Sequence, residues 1–328
     1  MKTAYSNMKK YIYCLFLATF SISTLSCKNS NRQKIGNAAQ QSPQTEKSVQ
    51  QEPQFPYPKI PESLKDPESR KTFLLAHYWD EFNFADTALV NNSNVTEQGF
   101  VDHIALLADT QTNPDEAEPS IGNLCRLMYP HPHARQVFMK LFDDYLSDPN
   151  SPFYNERLYA AYLKQMIGKY ETDEAVRENF KFRLDLISRN QPGKQASDFT
   201  YYLPSGKTST LKNTQVHNNR LLLVFYDPEC PTCHHLLQEM INDSSLKRAV
   251  DANKLSILAV YTEENMEAWR NSLKDMPANW IIGTDKEIIR MRALYNIKSM
   301  PSLYLLDGNK NVILKDATYE QIHSELGL

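Results

Sequence analysis

After residue 20 no segment is long and apolar enough to cross a membrane as a helix. Neither sign of charge dominates. The 36 Lys and Arg against 39 Asp and Glu leave a formal net charge of -3, and no basic stripe interleaved with aromatics runs along the chain. The electrostatic case for a nucleic-acid partner is therefore missing. Cysteine is sparse at five residues, and one pair alone is spaced as CxxC, Cys230 and Cys233. Without a second CxxC or a suitably spaced Cys/His pair, four zinc ligands cannot be assembled, so no metal is expected. Glycine is nearly absent from residues 61 to 190.

What is present divides the chain, whose 328 residues suit two domains. Lys2, Lys9 and Lys10 precede an apolar run from Tyr11 to Phe20, followed by small and polar residues ending at Cys27. A basic start, a short apolar core and a processing site make an export signal, and the run is about half of the ~20 residues a spanning helix needs. Thr24-Leu25-Ser26-Cys27 resembles the bacterial lipobox, with leucine one place nearer the cysteine than in the commonest form. The resemblance implies that residues 1–26 are a lipoprotein signal peptide, and that Cys27 is lipidated and holds the chain to the membrane on its periplasmic side. Cys14 leaves with the signal.

Residues 27–57 are rich in Gln, Ser, Asn, Pro and Lys, which predicts a disordered tether with a reach on the order of 30 Å. Residues 58–190 show apolar residues at helical spacing, as in Phe100-Ile104-Leu107 and Val137-Leu141-Tyr145. Breaks at Pro114, Pro119, Pro130-His131-Pro132 and Asp148-Pro149 divide this stretch into five or six helices of an all-α domain. From 193 to 328 the pattern changes to short strands, Leu221–Tyr226, Leu255–Tyr261 and Leu303–Leu306. These alternate with helices at Cys233–Ile241, Glu263–Leu273 and Lys286–Leu294, the signature of a layered α/β domain.

The chemistry concentrates where the first of these strands meets a helix. Leu221 to Tyr226 runs through a short turn into Cys230-Pro231-Thr232-Cys233. A thiolate at a helix N-terminus is stabilised by unpaired N–H groups and the helix dipole, which lowers its pKa and activates it. Cys230 is the expected nucleophile and Cys233, one turn in, the resolving thiol. Some seventy residues on, Met300-Pro301 stands directly before the last predicted strand.

Strand, CxxC, helix and late proline-strand together resemble the thioredoxin superfamily. The lead-in Ala196-Ser197-Asp198-Phe199 and Leu306-Asp307-Gly308 before a final hairpin resemble its periplasmic TlpA/ResA-like reductases. The resemblance implies a thioredoxin fold with a central sheet flanked by helices, a cis Met300–Pro301 bond beside the dithiol, and substrate docking at the Met300 backbone with Pro231 and Thr232. It implies no cofactor beyond the redox-active Cys230–Cys233 pair. Two departures stand out: Glu229 replaces the usual tryptophan before the first cysteine, and Val224 replaces a buried acid. Glu229 is expected to modulate the dithiol or take part in its proton transfer.

The CxxCH haem pattern is formally met by Cys230 to His234, but a buried strand leads into it. A copper chaperone of this fold would want a histidine in a late loop, and His217 and His323 do not lie in an evident loop by Pro301. A permanent disulfide is a further alternative, although exposed pairs at helix starts are more often labile. Cys125 reads as a small buried hydrophobe. The run from Pro61 to Pro67 with His77-Tyr78-Trp79-Asp80-Glu81-Phe82 resembles an uncharacterised helical domain that precedes thioredoxin-like modules in Bacteroidetes lipoproteins, which implies a part in selecting or positioning a partner. The expectation is an exported, membrane-anchored thiol-disulfide oxidoreductase in the cell envelope that reduces disulfides of periplasmic protein clients and is recharged by an external electron donor. Its rival is a partner-binding module in which the CxxC is a redox sensor or a staple.

Overall fold

A computed structural model describes residues 54–109, 114–170 and 173–328. The expected signal peptide, Cys27 and the expected tether up to residue 53 lie outside the described residues.

Among the described residues seven α-helices form the first module: α1 (Pro67–His77), α2 (Thr87–Val90), α3 (Thr96–Ala108), α4 (Pro114–Met128), α5 (Pro132–Phe142), α6 (Glu156–Gln165) and α7 (Glu174–Ser188). Their starts follow local chemistry. Asp66, Asp86, Asn155 and Asp173 each accept a backbone N–H from the first turn that follows, and Pro67 and Pro132 open helices where no N–H is needed. Pro119 does not break the chain as expected but sits inside α4. Its ring forfeits a bond near the exposed start, a cost of about 3 kcal/mol. Beyond it Ile121, Leu124, Cys125 and Met128 are fully buried, each worth roughly 1.5–3 kcal/mol for the larger side chains, so burial prevails.

The core of this module is aromatic. Trp79, Phe82, Phe84, Phe100, Phe138, Phe142 and Tyr162 are buried, with the rings of Phe142 and Tyr162 stacked 4.0 Å apart. Phe55 and Tyr57, expected in the tether, belong to this body. The Phe55 ring lies 5.1 Å from both Tyr78 and Trp79, and Tyr57 donates to Asp102 at 2.9 Å. A side chain at Gly99 would come within 2.2 Å of the Phe55 ring, so only glycine admits it.

The second module is a seven-stranded sheet in the order β2-β1-β5-β4-β3-β6-β7. It comprises β1 (Thr200–Tyr202), β2 (Thr208–Thr210), β3 (Arg220–Tyr226), β4 (Ser256–Tyr261), β5 (Ile281–Thr284), β6 (Ser302–Asp307) and β7 (Val312–Leu314). Central β3 runs parallel to β4 and antiparallel to β6. Leu221 to Tyr226 are wholly buried because both faces are covered, which is why they read as an unbroken apolar run. Leu222, Val224 and Tyr226 face the layer of α8 (Pro231–Asn242) and α12 (Tyr319–Leu326). Leu221, Leu223 and Phe225 face Phe199, Tyr295 and Tyr304. Between α8 and α12 come α9 (Ser244–Asp251), α10 (Met266–Ser272) and α11 (Ile288–Met291). The expected helix at 286–294 shrinks to the single turn α11, because Lys286, Glu287 and Ala293 all take positive φ and a left-handed residue ends a right-handed helix.

The two modules meet across a polar seam. Lys315 Nζ pairs with Glu156 Oε2 at 2.7 Å and donates to the Ile187 carbonyl at 2.9 Å. Asn296 donates to Glu156 Oε1 at 3.0 Å, and Asn190 to the Leu294 carbonyl at 2.8 Å. Lys315 is 5 % exposed and Glu156 16 %, so this pair is shielded enough to matter, unlike exposed surface pairs.

Candidate active site

The buried β3 delivers the chain to the C-terminal end of the central strand at Tyr226, and Asp227 to Glu229 turn it into α8. Cys230 is the N-cap of that helix, with extended backbone, and Pro231 is its first helical residue. Cys230, Cys233 and Cys125 are free thiols. Cys230 is half-buried, whereas Cys233 is wholly buried and its Sγ accepts the Asp227 N–H at 3.4 Å.

The environments drive the two thiols apart. At Cys230 burial pushes the thiol up but is outweighed by hydrogen bonds from the Thr232 hydroxyl, from the backbone and thiol of Cys233 and from the Thr232 amide, so its pKa is lowered. At Cys233 burial is the largest cause and raises the thiol to about 12, with Cys230 and the Asp227 charge adding to it against the Asp227 amide bond. An accessible thiol that ionises readily beside a buried one that keeps its proton is the asymmetry thiol–disulfide exchange requires.

The Met300–Pro301 bond is cis. The Met300 carbonyl oxygen accepts the Thr232 hydroxyl at 3.0 Å and lies 3.7 Å from Cys230 Sγ, so the proline loop and the helix start form one surface around the exposed sulfur. Pro231 and Thr232 are exposed on it.

Glu229 is exposed, and its Oε2 accepts the side-chain amide of Asn265 at 2.8 Å, which ties it to the start of α10. The acid whose charge acts on Cys233 is Asp227, which sequence reasoning passed over. The available signal was an acidic residue directly after a wholly apolar strand and three places before the first cysteine. Val224, in the place of the missing acid, is fully buried in the apolar layer.

The other candidates lie elsewhere. His217 forms a bridge with Arg220, the first residue of β3, and is thus about 20 Å of strand from the dithiol. His323 pairs with Asp243, past the far end of α8. Cys125 is fully buried in the helical core, and burial pushes its thiol up. His103 is buried, with Trp79 donating to its Nδ1 at 3.1 Å and its Nε2 2.8 Å from Ser120 Oγ.

A dithiol at a helix start on a thioredoxin-like sheet defines the class, and comparison with known proteins extends it to the rest of the chain. A family described as Domain of unknown function (DUF5106) matches residues 27–190, and a Thioredoxin-like domain matches residues 208–316. A crystal structure of a thioredoxin-like protein from Bacteroides caccae ATCC 43185 is 34% identical, with 83% of this chain and 98% of that chain covered and a TM-score of 0.75. A C-terminal domain of an uncharacterized protein from Bacteroides fragilis NCTC 9343 is 34% identical, covering 42% of this chain and 99% of that one at a TM-score of 0.41. A conserved protein of unknown function from Bacteroides fragilis is 37% identical, covering 42% of this chain and 98% of that one at a TM-score of 0.40. Among curated proteins nothing matches. The chain belongs to the thioredoxin-like proteins, with a DUF5106 domain as its N-terminal half.

Proposed function

We propose that the protein is an exported, lipid-anchored thiol-disulfide oxidoreductase that reduces disulfides in protein clients on the periplasmic side of the membrane. The observation that carries the reading is the geometry of the two thiols, Cys230 half-buried at the N-cap of α8 with its Sγ 3.7 Å from the Met300 carbonyl and Cys233 wholly buried one turn in. The export signal and the lipobox-like Thr24-Leu25-Ser26-Cys27 support the location.

In the proposed cycle the Cys230 thiolate attacks one sulfur of a client disulfide, forming a mixed disulfide and expelling the client's other sulfur as a thiolate, which takes up a proton. Cys233 then gives up its proton and attacks Cys230 Sγ. The Cys230–Cys233 disulfide forms, the second client thiol leaves, and two electrons have passed to the client. An external dithiol donor of electrons restores the pair. Asp227 is the candidate to receive the Cys233 proton, because its backbone N–H already meets the Cys233 sulfur at 3.4 Å and its charge acts on that thiol. Glu229, held by Asn265, shapes the rim around Cys230.

Cys230→Ser should abolish reduction of a protein disulfide such as that of insulin, and Cys233→Ser should accumulate a mixed disulfide with the substrate. Turnover that survives Cys230→Ser would overturn the proposal. Cys27→Ser should release the chain from the membrane fraction.

A further inference from the structure

A polar cavity of about 150 Å³ opens against Pro301. The helical module supplies Pro149 and Tyr154 to its wall, and the thioredoxin-like module supplies Asn296, Lys298, Pro301 and Asp316. The Met300 carbonyl, one residue before Pro301, lies 3.7 Å from Cys230 Sγ, so the cavity sits on the same proline loop that borders the dithiol.

The lining is built and held. Lys298 Nζ donates to the Ser147 carbonyl at 3.0 Å and lies 4.9 Å from the centre of the Tyr154 ring. Tyr154 donates to Glu156 Oε1 at 2.9 Å, the carboxylate that also holds Lys315 and Asn296. Across the cavity the Asp316 carboxylate accepts the Ser302 hydroxyl at 2.6 Å. The Asp316 charge acts on Lys298 without forming an ion pair with it, while Glu156 and Lys315 act on Asp316, and both Lys298 and Asp316 retain hydrogen-bonding capacity. Burial pushes the Lys298 amine down and the Asp316 carboxyl up, so both groups gain from a ligand that satisfies them.

A carboxylate entering here would meet Asp316, and an ammonium would meet Lys298. A side-chain carboxamide suits both, its oxygen accepting from Lys298 and its NH2 donating to Asp316. Resting on the oxidoreductase reading above, we propose that the cavity is a client subsite that takes a glutamine or asparagine side chain near the client cysteine, with the helical module's Tyr154 as its wall. The helical module then selects substrate directly at the dithiol.

The test uses the full chain and disulfide-bonded peptides with glutamine, glutamate or alanine at each of the two positions on either side of the cysteine, with a small aromatic disulfide as reference. At one position or more, kcat/KM for glutamine should exceed that for alanine by about tenfold, with glutamate the poorest. Lys298→Met should bring the glutamine-to-alanine ratio to about twofold or less. Asp316→Asn, which keeps the shape and tolerates the local backbone, should raise the glutamate-to-glutamine ratio by about tenfold. Turnover of the small disulfide with flat peptide ratios, or ratios that neither variant moves, overturns the subsite alone. Failure to reduce any disulfide, the small one included, overturns the oxidoreductase reading and the subsite with it.

Discussion

Thr232 stands between two acceptors, its hydroxyl oxygen 3.0 Å from the Met300 carbonyl oxygen and 2.9 Å from Cys230 Sγ. It has one proton to donate. While Cys230 is a thiol, that proton goes to Met300. Once Cys230 ionises, the thiolate is the stronger acceptor, and turning the hydroxyl toward it frees the Met300 carbonyl for a backbone N–H of an arriving chain. Thr232→Val keeps the shape and removes the donor, so the Cys230 pKa should rise, the sign expected because the hydroxyl bond lowers it. The pH dependence of the alkylation rate at Cys230 reads this directly. A profile that coincides with that of the unmodified chain would refute the role.

Why β3 and β4 were legible in the sequence while other elements were not is a matter of burial. Leu221 to Tyr226 and Ile257 to Tyr261 are covered on both faces and so form continuous apolar runs. The strands Thr200–Tyr202 and Thr208–Thr210 are three residues each, polar, and pair at the sheet margin, which leaves no periodicity to read. The dithiol was legible because its chemistry is local to four residues. The cavity beside Pro301 was not, because it joins Tyr154 to Lys298 and Asp316, groups brought together only by the packing of one module on the other.

That packing has a measurable centre at Lys315 and Glu156, 2.7 Å apart and largely shielded from water. Removing one member of a buried pair leaves the other charge uncompensated. Lys315→Met should lower stability by about 2–4 kcal/mol in urea unfolding. The double variant with Glu156→Gln should lose less than the sum of the single losses, since the two share the same bond. Strict additivity would show that the seam does not depend on this pair.

His103 gives the helical module a dependence on pH. Trp79 is a donor only, so the bond to Nδ1 places the imidazole proton on Nε2, which donates to Ser120; Ser120 in turn donates to the Leu75 carbonyl at 2.7 Å. Burial lowers the His103 pKa to about 3, whereas in the unfolded chain it stays near the ordinary 6.5. The stabilisation is therefore complete above pH ~6.5 and is lost as pH falls toward 3, by up to about 1.4 kcal/mol per pH unit. Unfolding followed from pH 7 to pH 4 should show this slope, and His103→Gln should lack its share of it. Identical slopes in the two proteins would contradict the assignment.

The measurement closest to the central claim is the reduction potential of the Cys230–Cys233 pair, taken on the full chain in thiol buffers. A working dithiol should reach equilibrium reversibly at a potential between about -270 and -120 mV, and a reductase should fall toward the lower end of that range. A pair that stays oxidised in buffers poised below about -300 mV would be a structural staple, and the exchange chemistry assigned to Cys230 would be contradicted.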